Sequence, residues 1–224
     1  MPSATSPDHP SDTIHLIMFD MDDTLLQGRT IKVFADKLGF SKELYEIIET
    51  IPTSFSRSKK IAQLLVGYSE DELLHLFEEI PLQEHLEEVL DEIHHRCIHT
   101  ALVTNSYRFV AKPLQQRLGL EFVFANNLII HNGIVTGEYH PHNTKPQERF
   151  DGCKCHPICK RDVLDHLCEE LNLVPRQVMA VGDGVIDICM LQKAGIGVAY
   201  RAPAEVQKHA DVCITDMRGI LHYL

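Results

Sequence analysis

Residues Leu16 to Leu26 read LIMFDMDDTLL. A four-residue apolar run leads straight into Asp20, and Asp22 and Asp23 follow at once. A strand end is a costly place to gather like charges, because each carboxylate makes its neighbours harder to ionise. The apolar run does not alternate with polar residues. That predicts a strand covered on both faces, as in a parallel sheet with helices on either side. The run and the acids after it therefore set two questions: what sheet holds the strand, and what neutralises the carboxylates.

The rest of the chain answers the first. Short runs of Val, Ile, Leu, Phe and Ala recur at His15–Phe19, Thr100–Thr104, Phe122–Ala125, Val178–Val181, Ile196–Ala199 and Val212–Ile214. Helical patterns lie between most of them, at Tyr107–Leu118, Lys160–Leu171, Ile186–Ala194 and Pro203–His209. Strand and helix in alternation predict an α/β fold, a doubly wound parallel sheet. The gap between Phe19 and Thr100 far exceeds the roughly dozen residues that a crossover needs. Helices are expected there at Thr30–Leu38, Ser41–Glu49, Ser56–Val66, Glu70–Glu79 and Gln83–His94, as a helical insert over the sheet. The stretch Leu128–Tyr139 has β-rich arms around Asn132-Gly133, a hairpin signal. The division expected is a loose tail over 1–13, an α/β core over 14–28 and 96–224, and a helical cap over 29–95.

Composition limits the partners. The 224 residues carry a formal net charge of −11, which argues against nucleic acid, whose phosphates call for a basic surface. No apolar run is long enough for a membrane span, and the Ser-, Pro- and Asp-rich start lacks the pattern of a secretory signal. Seven cysteines without such a signal read as reduced thiols of a cytoplasmic protein. Cys153, Cys155, His156 and Cys159 have the donor types for zinc but not a paired spacing. A structural metal and a reduced loop both remain open for them.

In open α/β sheets the ligand crevice lies beyond the carboxyl ends of the strands. Three polar clusters follow strands here: DMDDT at Asp20–Thr24, Thr104-Asn105-Ser106, and GDGVID at Gly182–Asp187. Asp20, Asp22, Asp183 and Asp187 would meet at one rim, where they need a cation; all-oxygen ligands suit a hard ion, Mg²⁺ where phosphate is handled. One carboxylate of the Asp20/Asp22 pair could attack phosphorus, and the other could move protons. Thr104 and Asn105 offer hydrogen bonds to phosphoryl oxygens. Lys160, at the start of the helix before GDG, is the cation chosen to offset phosphoryl charge.

DMDDT, VTNS, the Lys160 helix and GDGVID resemble the four motifs of the haloacid dehalogenase superfamily of aspartate-nucleophile phosphatases. FANNLIIHNGIVTGEY and KAGIGVAYRAPAEVQKHADVCI resemble its phosphoserine phosphatase branch. The resemblance implies Asp20 as nucleophile and Asp22 as general acid and base. It implies a Mg²⁺ held by Asp20, the Asp22 carbonyl and Asp183. Thr104 and Lys160 would grip phosphate, Asp187 would brace the metal and the lysine, and the insert would close over the substrate. Arg29 stands where that branch has an acid for the substrate's ammonium, Asn105-Ser106 where it has two glycines, and Ile186 where it has Asn. Arg29 suits a carboxylate or a second phosphate better than an ammonium. Arg57, in the basic run Arg57-Ser-Lys59-Lys60, is the second candidate for reading an acidic substrate, against its being part of a solvated helix face.

The function expected is a Mg²⁺-dependent phosphomonoester hydrolase acting on a small phosphorylated metabolite. A phosphotransferase using the same aspartyl phosphate, and a catalytically idle phospho-ligand binding protein, are the alternatives.

Overall fold

The computed structural model describes residues 13–144 and 156–224. The segment 1–12, with most of the expected tail, lies outside them, as do Cys153 and Cys155. Seven strands form one sheet in the order β4-β3-β2-β1-β5-β6-β7. They are β1 (Leu16–Phe19), β2 (His99–Tyr107), β3 (Phe122–His131), β4 (Ile134–His140), β5 (Val178–Gly182), β6 (Ile196–Tyr200) and β7 (Val212–Ile214). All pairs are parallel except β3 with β4. Asn132 and Gly133 both have positive φ, 52° and 75°, which makes the type I′ turn that suits a two-residue hairpin.

β1 is central, and its non-alternating sequence is explained by two cores. Ile17 and Phe19 enter one, Leu16 and Met18 the other. The second core holds α7 (Lys160–Glu170) and α8 (Ile188–Leu191). The first joins the sheet to the insert through Phe34, Leu44, Ala62, Leu73 and Phe77, so sheet and insert share one apolar interior. The insert helices are α1 (Thr30–Leu38), α2 (Ser41–Thr50), α3 (Ser54–Leu64) and α4 (Glu70–Glu78). After them α5 (Leu86–His95) packs on the closing 3₁₀ segment Met217–Tyr223.

The chain enters and leaves the insert through two strips that lie antiparallel. Gln27 N–H donates to the Pro81 carbonyl at 2.8 Å, and Gln83 N–H to the Leu25 carbonyl at 2.9 Å. The Gln83 amide nitrogen donates to the carbonyls of Asp23 and Leu26, while its oxygen accepts from Tyr200 and Arg201. That use of Gln83, with His85 at φ 62°, delays α5 to Leu86, three residues after its expected start. At the far side the hairpin grips the insert: Val135 exchanges backbone hydrogen bonds with Tyr68 and Gly67, and the Gly133 carbonyl accepts from Glu70. Gly137 has φ +81°, and a Cβ there would come within 2.4 Å of Val66 Cγ2, so the α3 end and β4 touch only because a glycine stands between them.

α3 (Ser54–Leu64) starts and ends two residues before its expected span, and β2 and α8 depart from the periodicity at the rim. β2 runs on to Tyr107, so Thr104, Asn105 and Ser106 belong to its irregular end and not to a loop after it. Val103 pairs with Phe124 and Tyr107 with Asn126, leaving those three residues opposite Ala125 alone. α8 begins at Ile188, not Ile186, because Asp187 is spent on a turn: its N–H donates to the Gly184 carbonyl and its Oδ2 accepts from the Gly184 N–H.

Candidate active site

β1 has β2 on one side and β5 on the other, so the chain winds away from it in both directions. This is the switch point at which α/β sheets open a crevice. Asp20 leaves the end of β1 and its N–H donates to the Val181 carbonyl of β5 at 3.0 Å. That bond brings the DMDDT turn against GDGVID. Gly182 is needed there, since a Cβ on it would lie 2.6 Å from the Asp187 carboxylate.

Asp20, Asp183 and Asp187 are all buried, and one carboxylate oxygen from each lies within 4.8 Å of the others. Lys160, 1% exposed, reaches into this cluster from the first residue of α7. Its Nζ hydrogen-bonds Asp20 Oδ1 and stands 2.6 Å from Asp187 Oδ1. Burial alone would lower the lysine's pKa, but Asp187 and Asp20 outweigh it and hold the ammonium firmly protonated. Burial raises Asp20 well above the carboxylate range; Lys160 opposes the rise, and Asp187 and Asp183 add to it. Asp183 is pushed up to about 6, first by burial and then by Asp187, with Arg29 and Thr24 pulling the other way. One lysine does not balance three buried carboxylates. An all-oxygen donor set with unmet negative charge fits a hard cation.

Asp22 is turned elsewhere. Its Oδ1 accepts from the Thr30 N–H at 2.9 Å and the Thr30 hydroxyl at 2.5 Å, at the first residue of α1. Burial raises its pKa and the Thr30 hydrogen bonds restrain the rise. Asp23 sits at φ 59° and takes the Arg29 Nε–H at 2.7 Å, and a second nitrogen of Arg29 lies 3.5 Å from Asp183. Arg29 is thus at the mouth of the site, in a cavity of about 420 Å³ that Asp23, Gln83, Asp183 and Arg201 also line. Arg57, in α3, instead donates from Nε and a terminal nitrogen to the carbonyl of Ile51, the residue after α2. Thr104 is buried, its hydroxyl accepting from the Ser106 N–H at 3.0 Å. Asn105 is partly buried beside it, with its carbonyl taken by Asn126. His156 is partly buried and Cys159, just before Lys160, is buried.

Three residues join the site that patterns in the sequence did not single out. Thr24 donates its hydroxyl to Asp183 at 3.1 Å, Thr30 holds Asp22, and Asn126 holds Asn105. Thr24 had a local clue as the last residue of DMDDT, and Asn126 lies in the quoted FANN stretch, though no role was read for either; Thr30 had none.

A family model described as haloacid dehalogenase-like hydrolase matches residues 17–192. The chain belongs to that family. Among its curated relatives, the phosphoserine phosphatase of Methanocaldococcus jannaschii is 29% identical over 215 residues, covering 93% of this chain and 97% of the relative. The phosphoserine phosphatase of Campylobacter jejuni is 29% identical over 93% of this chain and 98% of its own length. A solved structure of a phospho-aspartyl intermediate analogue of phosphoserine phosphatase superposes with a TM-score of 0.80 at 28% identity, over 95% of this chain and 99% of that one. The family hydrolase described here is therefore phosphoserine phosphatase-like in sequence and fold. No helix among the described residues is long and apolar enough to cross a membrane.

Proposed function

We propose that the protein is a cytoplasmic, Mg²⁺-dependent phosphomonoester hydrolase that passes the phosphoryl group of a small metabolite to Asp20 and then to water. The observation that carries this reading is the meeting of Asp20, Lys160, Asp183 and Asp187 in one buried cluster beyond β1. Asp20 attacks phosphorus and the ester oxygen departs. Asp22, whose raised pKa suits an acid, gives that oxygen its proton and later takes one from the water that attacks the aspartyl phosphate. Thr104, Asn105 and Lys160 hold phosphoryl oxygens. Asp20, Asp183 and the Asp22 carbonyl would hold Mg²⁺, and Asp187 braces Lys160. When bound, the ion supplies positive charge against the carboxylates and the phosphoryl oxygens. Helices α1–α4 are the cap that keeps water out, and the boundary with the core then falls ahead of α5.

Metal binding is tested on stability as well as turnover. The raised pKa of Asp183 means that the metal-free protein loses stability as pH rises through about 6, where this buried acid ionises. Mg²⁺ relieves that charge above the transition and must displace a proton below it. At a hundredfold excess over its Kd, Mg²⁺ is expected to add about 2.7 kcal/mol, roughly 5–10 °C in Tm for a chain of this length. Thermal melts of chelator-treated protein should show that gain at pH 7.5 and a smaller one at pH 5. No gain at pH 7.5, or a larger one at pH 5, would count against the metal site.

The substrate reading departs from the relatives. Arg29, at the mouth of the site, favours a phosphomonoester with a carboxylate or a second phosphate over one with an ammonium. A panel of phosphorylated amino acids, sugars, vitamins and carboxylic acids, assayed with Mg²⁺, tests it. Arg29→Glu should move the kcat/KM ratio toward amine-bearing esters by about tenfold or more, the scale of a reversed charge close to the substrate. An unchanged ranking removes Arg29 from specificity. Comparing phosphate released with product formed on added alcohols separates hydrolysis from phosphotransfer.

A further inference from the structure

The irregular end of β2 leaves its backbone outside the ladder. No register partner on β3 falls between those of Val103 and Tyr107, so Thr104, Asn105 and Ser106 stand outside the regular pairing. Asn105 is partly buried, and a carbonyl withdrawn from water is costly to leave without a donor. The donor comes from a side chain, Asn126, which is fully buried on β3. Its Nδ2 donates to the Asn105 carbonyl at 2.8 Å and approaches Asn105 Oδ1 at 3.4 Å. Its Oδ1 accepts from the His142 N–H at 3.0 Å. A backbone N–H can only donate, so the oxygen faces His142 and the nitrogen faces Asn105; the amide has one orientation.

We infer that Asn126 is a positioning residue for phosphate binding: it sets the Thr104–Ser106 segment through the Asn105 carbonyl and ties it to the backbone at His142, just beyond β4. The inference rests on the phosphatase reading above. Asn126 itself touches neither Asp20 nor Lys160 through any hydrogen bond among the described residues.

Asn126→Asp separates this role from mere packing. A protonated carboxyl reproduces both groups, its O–H donating to Asn105 and its C=O accepting from His142. An ionised one turns a second negative oxygen on the Asn105 carbonyl. Burial raises the new acid's pKa. The ratio of variant to wild-type kcat/KM on para-nitrophenyl phosphate with Mg²⁺ should therefore fall by about tenfold or more between pH 5.5 and 8.5. Orthovanadate inhibition should weaken in parallel, while Mg²⁺ affinity measured by calorimetry stays put. The His142 imidazole, lowered by burial with His166 and Arg108 beside it, faces the new carboxyl, so the same ratio is taken in a His142→Gln background, where the fall with pH should persist.

A flat ratio and unchanged vanadate inhibition, with wild type active, would overturn the role of Asn126 alone. A wild type with neither Mg²⁺-dependent turnover nor vanadate binding would take down the phosphatase reading, and this inference with it. If the variant does not fold, the wild-type protein carries the test. Its ¹⁵N-labelled Asn126 side-chain amide should shift and gain protection when orthovanadate and Mg²⁺ are added. A signal indifferent to them overturns the inference.

Discussion

Asp20→Asn is expected to remove turnover while leaving the fold in place. The substitution keeps the size of the side chain and takes away the one carboxylate that both ends β1 and meets Lys160. An amide does not attack phosphorus as a carboxylate does, so kcat should fall by roughly 10⁴-fold or more, the scale at which enzymes lose a nucleophile. Stability should move little. The variant loses the Lys160 ion pair, but it also loses a buried charge that Asp187 and Asp183 repel. Lys160 keeps Asp187 at 2.6 Å. Circular dichroism and a thermal melt check the fold, and phosphate release checks the chemistry. Turnover within tenfold of wild type would sink the assignment of Asp20, and with it the sequence of steps proposed.

The roles proposed for Asp20, Lys160, Asp183 and Asp187 were readable to different degrees. DMDDT and GDGVID stand out because each packs its chemistry into a few consecutive residues after an apolar run. The sheet was readable for the same reason: a strand covered on both faces carries its pattern locally, as Leu16–Phe19 does. The hairpin was declared by Asn132-Gly133, two residues that tolerate positive φ. Lys160 had no such mark, since one lysine at a helix start is like many others; its place before GDG singled it out, and burial among acids distinguishes it. The Thr104–Ser106 irregularity was invisible because it depends on Asn126, a strand away. Thr30 looked like an ordinary helix residue, yet it holds Asp22 across a turn that contains Gly28 with φ 148°. The Asp187 turn was hidden in the same way, because a hydrogen bond back to Gly184 competes with the helix that the periodicity favours. Local signals gave the elements and the acids. The groups that orient those acids come from tertiary hydrogen bonds, which leave no period in the chain.

Lys160→Met should show what the cluster costs without its cation. Methionine fills nearly the same volume and brings no charge, so packing is largely kept. Asp20 and Asp187 are then left buried without their ammonium partner. Removing one partner of a buried ion pair destabilises by about 3–5 kcal/mol, which corresponds to roughly 6–20 °C in Tm for a protein of this size. The sign of the pH dependence follows from the acids. Without Lys160 the folded-state pKa of Asp20 rises further, because the lysine is what opposes burial there. A raised carboxyl is harmless while protonated and destabilises the fold as pH climbs through its folded pKa. The deficit against wild type should therefore be small near pH 5 and widen toward pH 8. Mg²⁺ should recover part of it, since the same carboxylates then face a divalent charge. Turnover should fall by at least about 10²–10³-fold even where the variant is folded, because the phosphoryl oxygens lose a fixed positive group. A Lys160→Met protein as stable as wild type from pH 5 to 8 would mean that something other than this lysine neutralises the acids beyond β1.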